Sequence, residues 1–192
     1  MIHRIADGLF TLPEVLTPEE CAEFIARGEG LGFEAASVSA ASGPRMMPSV
    51  RNNDRAIFDD PRLAEWFWMR VREHVPQELE GAIATGLNER FRFYRYDPSQ
   101  RFNAHRDGAV ERSANDRSRL TFMIYLNDGF EGGQTVFYSE ERVNGLRQVV
   151  ASVEPAAGMG LCFAHDWWHE GAKVLSGRKY VLRTDVMYRD GE

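Results

Sequence analysis

The stretch Leu120-Thr121-Phe122-Met123-Ile124-Tyr125-Leu126 decides the fold class. Leu120, Phe122, Ile124 and Leu126 make one phase of a strand wholly apolar, and Thr121, Met123 and Tyr125 leave the other phase little suited to water. Such a strand belongs at the centre of a sheet, between a barrel interior and a layer of helices. Outward from it, short β-branched and aromatic runs are punctuated by Gly, Asn and Asp. Further strands are expected at Phe91 to Tyr96, Thr135 to Tyr138, Gln148 to Val153, Gly160 to Ala164 and Lys179 to Tyr188. That spacing is the pattern of an antiparallel sandwich or barrel. The polar insertions Gly108 to Ser118 and Ser139 to Arg147 read as loops that carry substrate contacts.

The first 90 residues have a different texture. Thr17-Pro18-Glu19-Glu20 combines a cap, a first-turn proline and a capping-box glutamate, which predicts a helix to about Gly28. Asp60-Pro61 repeats the start signal, and Leu63, Trp66, Phe67 and Val71 share a face before Pro76. Between the helices, Ser37 to Ser49 with Gly43-Pro44 reads as a loop, followed by a strand near Arg51 to Phe58. The expected organisation is one domain over residues 1–192, a helical and mixed N-terminal buttress (1–90) supporting a β core (91–188).

Composition narrows the function. The chain of 192 residues is 43% hydrophobic and 11% aromatic, too apolar for disorder. A formal charge of −6 repels phosphate backbones and anionic lipid, so neither nucleic acid nor membrane is expected as a partner. Cys21 and Cys162 are too sparse for a disulfide scaffold or a cysteine zinc site and read as buried thiols. Residues Met1 to Phe10 lack an apolar signal core, and no uncharged run reaches membrane-spanning length, so a cytoplasmic protein is expected.

The candidate chemistry begins at His105-Arg106-Asp107. On an extended segment the imidazole and the carboxylate point to one face, and His169, in Trp167-Trp168-His169-Glu170-Gly171, supplies a third ligand. Two histidines and one carboxylate form the facial triad that leaves positions open on iron(II). An exposed histidine beside an acidic residue is the plainer reading of His105 and Asp107 alone. Lys179 begins a strand from which its ammonium can enter the barrel and pair with the far carboxylate of a bound dicarboxylate. A solvated lysine is the competing reading. His165 stands in helical spacing with His169, but the strand-like Gly160 to Ala164 before it and Gly171 after it argue against a helical metal motif. His165 is therefore expected at the surface or behind the ligands. His3 and His74 read as structural, and Trp167 and Trp168 as packing. Arg51 and Asn52 are candidates for the substrate entrance, with a charged turn equally compatible.

Taken in order, these blocks resemble the catalytic domain of prolyl 4-hydroxylases within the 2-oxoglutarate and iron(II)-dependent oxygenases. The resemblance runs from Arg95-Tyr96-Asp97-Pro98 to His105-Arg106-Asp107-Gly108, through Tyr125-Leu126-Asn127-Asp128 and Glu131-Gly132-Gly133-Gln134-Thr135, to His169-Glu170-Gly171 and Gly177-Arg178-Lys179-Tyr180. It covers about Phe91 to Tyr188. It implies a double-stranded β-helix (jelly roll) with N-terminal helices, Fe(II) on His105, Asp107 and His169, and the 5-carboxylate of 2-oxoglutarate on Lys179. Tyr96 and Thr135 would assist that cosubstrate, and ascorbate is the candidate reductant. The implied reaction consumes O2, hydroxylates an unactivated C–H bond and releases succinate and CO2. Asp107 argues for hydroxylation, since a non-ligating residue there would suit halogenation.

The pattern departs from the collagen-type enzymes six residues past the lysine, where an aromatic is frequent and Asp185 stands here. The substrate therefore stays open among a prolyl or other residue of a peptide or protein, a free amino acid and a metabolite. A non-catalytic metal or 2-oxoglutarate sensor and a zinc hydrolase on the same ligands are further classes, and Lys179 and Tyr96 speak against both. Strand parity adds one expectation: if Lys179 points inward, so do Val181, Arg183 and Asp185. Arg183 then either pairs with Asp185 or meets an anionic group of cosubstrate or substrate.

Overall fold

The computed structural model describes residues 2–37, 43 and 45–191. The N-terminal part runs β1 (His3–Ala6), β2 (Leu9–Leu12), α1 (Pro18–Leu31), β3 (Glu34–Ala35), β4 (Asp54–Asp59), α2 (Pro61–Val71), β5 (Glu78–Leu79) and β6 (Ala82–Leu87). Both helix starts are built as their sequences dictate. The Thr17 hydroxyl accepts from Glu20 N at 3.2 Å while Thr17 N donates to the Glu20 carboxylate at 3.0 Å, and Asp60 accepts from Leu63 N at 3.0 Å. Helix α1 continues through Gly28 to Leu31, past the expected end. A Cβ on Gly28 would lie 3.2 Å from the Phe93 ring, so the missing side chain lets the helix rest directly on the sheet. In α2 the buried face is Ala64, Phe67 and Val71, with Trp66 at the rim. The strand expected from Arg51 starts at Asp54, and part of the expected 37–49 loop lies outside the described residues.

The remainder is β7 (Arg90–Tyr96), β8 (Phe102–His105), β9 (Glu111–Ser113), β10 (Asp116–Tyr125), β11 (Glu131–Gly132), β12 (Thr135–Val143), β13 (Leu146–Val153), β14 (Gly160–Ala164), β15 (Trp168–Gly171), β16 (Val174–Ser176) and β17 (Lys179–Asp190). A large sheet has the order β1-β2-β14-β10-β17-β7-β4-β3, and β6 pairs with the second half of β17. A smaller sheet, β13-β12-β15-β8, faces it, and β11 pairs with β16. The first 90 residues are thus not only a buttress, because β1, β2, β3, β4 and β6 extend the large sheet itself.

Two expected loops are strands. Residues 139–147 continue β12 to Val143 and return as β13 through Asn144-Gly145, both at positive φ (53° and 80°). Glu111–Ser113 folds back on β10.

Strand parity sorts the core into two layers. Phe91 and Phe93 of β7, Leu120, Phe122 and Ile124 of β10, and Tyr180, Leu182 and Val186 of β17 pack toward the helices. Tyr94 and Tyr96, Tyr125, and Val181 from the same strands pack between the two sheets. Thus β10 is apolar on both faces because each face meets a core.

Candidate active site

His105 on β8 and His169 on β15 are direct cross-strand partners, so the small sheet brings the two imidazoles together, with ring centroids 4.3 Å apart. Asp107 follows β8, anchored by its N–H donating to His165 O at 3.2 Å. Its carboxylate oxygens lie 3.6 Å from His105 Nε2 and 3.6 Å from His169 Nε2. One ligand atom from each of the three residues falls within 4.8 Å of the others.

Protonation suits a metal. Each histidine presents Nδ1 to a backbone carbonyl, His105 to Asn103 O at 2.9 Å and His169 to Trp167 O at 3.0 Å. A carbonyl only accepts, so the proton sits on Nδ1 and the Nε2 lone pair is free. Burial pushes His169 down to about 4 against the pull of Asp107, keeping it neutral at neutral pH. Burial alone would raise the Asp107 carboxyl, but the Arg183 guanidinium holds it well below the usual carboxylate range. Two imidazoles that turn Nε2 toward one ionised carboxylate are a donor set that fits Fe(II).

These groups line one end of a cavity of about 40 Å³ that also meets Tyr94, Tyr96, Thr121, Thr135, Val181, Lys179 and Arg183. Lys179 is 2% exposed, and its ammonium meets no carboxylate among the described residues. It donates to Gly133 O at 2.5 Å and lies 5.3 and 5.2 Å from the ring centres of Tyr96 and Tyr125. Burial pushes it down to about 7. A buried cation held by one carbonyl and two aromatic faces is a fitting partner for a ligand carboxylate. Thr135 is buried beside it, bonded to Tyr125 Oη at 2.6 Å, and burial raises Tyr96 to about 12, so its phenol keeps its proton.

The other candidates separate. Arg183 lines the cavity, pairing with both Asp107 and Asp185. Arg51 is not a charged turn. Its guanidinium is sandwiched between Tyr94 and Phe102, 4.4 Å from each ring, and Phe102 in turn stacks on His105. Asn52 is exposed and accepts from Arg101 N at 2.8 Å, tying residues beside Arg51 to the segment entering β8. His165 is mostly covered, 3.7 Å from Asp185, and belongs behind the ligands; His3 and His74 are exposed and distant in the fold. Trp167 donates to Asp7 O at 3.1 Å, and Trp168 lies under Arg147 and Arg106. Cys21 and Cys162 are buried free thiols.

Sequence reasoning missed Thr121, which donates to Asp107 Oδ2 at 2.6 Å, and Phe102. The inward parity of Thr121 on its strand was a usable signal. Nothing local marks Phe102.

Comparison with known proteins agrees with this geometry. The sequence profile of the 2OG-Fe(II) oxygenase superfamily matches residues 91–184, the span that carries His105, Asp107, His169 and Lys179. A PKHD-type hydroxylase of Methylobacillus flagellatus is 25% identical over 161 residues, covering 78% of this chain and 88% of that protein. In fold, the chain is similar to a viral collagen prolyl hydroxylase of Paramecium Bursaria Chlorella virus-1 (TM-score 0.63, 17% identity, 95% of this chain and 96% of that one). It is also similar to a Trichoplax adhaerens prolyl hydroxylase solved with a hypoxia inducible factor peptide fragment (TM-score 0.69, 17% identity, 96% and 84%). The jelly roll, the His-Asp-His cluster and the family match converge: residues 91–184 are a domain of the 2OG-Fe(II) oxygenase superfamily, and the chain is a dioxygenase that uses Fe(II) and 2-oxoglutarate on a fold shared with prolyl hydroxylases.

Proposed function

We propose that this enzyme hydroxylates an unactivated C–H bond of a prolyl or other amino-acid residue in a peptide or protein, converting 2-oxoglutarate to succinate and CO2. The observation that carries the reading is a buried cation, Lys179, that has no carboxylate partner among the described residues and lines the same cavity as His105, Asp107 and His169. Bound there, Fe(II) supplies the chemistry of oxygen activation. The chain's own part is to hold and exclude. Lys179 takes the far carboxylate of the cosubstrate, and Tyr96 and Thr135 flank it, while Arg183 stands at the metal end. Tyr94, Phe102, Val181 and Phe163 wall the cavity against water, which protects a reactive centre. The carboxylate at position 107 supports hydroxylation over halogenation.

The peptide in the Trichoplax neighbour and the hydroxylase relative support a residue in a peptide as substrate. Asp185 in place of the family's frequent aromatic favours a second reading, a free amino acid or small metabolite. Incubation with Fe(II), 2-oxoglutarate and panels of peptides and amino acids, read by succinate yield and by gain of one oxygen, tests both. An oxygen gain on peptides supports the proposal, and one confined to free amino acids moves it to the second reading. Binding of 2-oxoglutarate without succinate from any panel overturns both in favour of a sensor.

A further inference from the structure

On the cavity wall beside the ligands, one guanidinium nitrogen makes three contacts. Arg183 Nη2 lies 3.1 Å from Asp107 Oδ2, 3.2 Å from Asp185 Oδ1 and 3.3 Å from Thr121 Oγ1. With Thr121 also donating at 2.6 Å, Asp107 Oδ2 has two partners from the large sheet. Donors on one carboxylate oxygen fix the rotation of the group, and so which oxygen is left for a cation.

An arginine alone would be a poor choice here, because its charge repels a divalent ion on the same carboxylate. Asp185 removes that objection. It lies two residues along β17 on the same face, is fully buried, and is held from behind by Arg92 Nη1 at 3.2 Å and Asn88 Nδ2 at 3.5 Å. We propose that Arg183 is a positioning residue that holds Asp107 in its ligating orientation before metal arrives, and that Asp185 is the counter-charge that lets it do so. The two inward charges of β17 then form one device. This rests on the metal site and not on the identity of the substrate.

The test titrates metal-free protein with Co(II), followed by its visible bands and by calorimetry, in the wild type, Arg183→Met, Arg183→Lys and Asp185→Asn; 2-oxoglutarate affinity is then measured on the Co(II)-loaded proteins. Arg183→Met is expected to weaken Co(II) binding about 10–100-fold with altered band intensities, and Arg183→Lys to recover part of both. Asp185→Asn is expected to weaken Co(II) most at low ionic strength, where the uncompensated guanidinium is least screened. The 2-oxoglutarate affinity of loaded protein should stay at the wild-type value. Wild-type or tighter Co(II) binding by Arg183→Met overturns the proposal, as does a loss confined to 2-oxoglutarate, which would make Arg183 a cosubstrate anchor. If Arg183→Met does not fold, wild-type Co(II) spectra and affinities in both Arg183→Lys and Asp185→Asn overturn it equally.

Discussion

Burial of the Lys179 ammonium sets how the cavity responds to pH. In the ligand-free protein its pKa falls to about 7, from an ordinary 10.5, so between those values the unfolded chain binds a proton that the folded chain does not. Stability of the ligand-free protein therefore rises with pH across that window. A carboxylate at Nζ raises the pKa again, so above about pH 7 binding of 2-oxoglutarate takes up a proton and its affinity falls as pH rises. Calorimetry in buffers of different ionisation enthalpy reads the uptake directly, and none above pH 8 would refute it. Lys179→Met should weaken 2-oxoglutarate by roughly 10–100-fold, the range of one charged hydrogen bond. Arg178→Ala should do little, since Arg178 is half exposed and pairs with Asp97 at 2.6 Å outside the cavity. Equal losses in an equilibrium binding assay would contradict the parity of β17. That His105, Asp107 and His169 come together and that Lys179 enters the same cavity was legible because metal and carboxylate chemistry restricts both residue type and order. Phe102 and Arg51 were not, because a ring stacked on a ligand and a cation clamped between two rings leave no local pattern.

Among elements, the sequence was most readable where both faces of a strand are buried. The double phase of Leu120 to Leu126 and the inward set Lys179, Val181 and Arg183 agree with β10 and β17. It was least readable where a strand is wet on both sides: Ser139-Glu140-Glu141-Arg142 looks like a loop, yet the Asn144-Gly145 turn makes it a hairpin. The short strand pair β11 and β16 positions Gly133, whose carbonyl holds Lys179. Gly133 has φ +71°, and a Cβ there would stand 3.0 Å from Phe130 and 3.2 Å from Lys179 Cδ. Gly133→Ala is expected to cost about 1–2 kcal/mol and to loosen 2-oxoglutarate binding with it. Thermal melts together with cosubstrate titration check this; a stability loss with unchanged binding would detach the glycine from the site.

At the scale of the molecule, the larger core lies behind the large sheet against the helices, and the site lies in front of it between the sheets. With Arg183 and Thr121 on Asp107, the ligands are supported by protein alone. Removing metal with a chelator should therefore leave the far-ultraviolet circular dichroism unchanged, and collapse of the signal would show that metal holds the barrel closed. Phe122→Ala, in the rear core against Phe67, should cost about 3–5 kcal/mol while leaving Co(II) affinity intact, read by denaturant melts and metal titration. The sheet order has a further consequence, for synthesis. Strand β17 lies between β10 on one side and β7 and β6 on the other, although it is made after all three. At about 5–20 residues per second, translation leaves those strands without their common neighbour for seconds, with apolar edges open. Nascent chains halted before Lys179 should be protease-sensitive throughout and bound by chaperones, and the enzyme should become compact in one step only once β17 has left the ribosome.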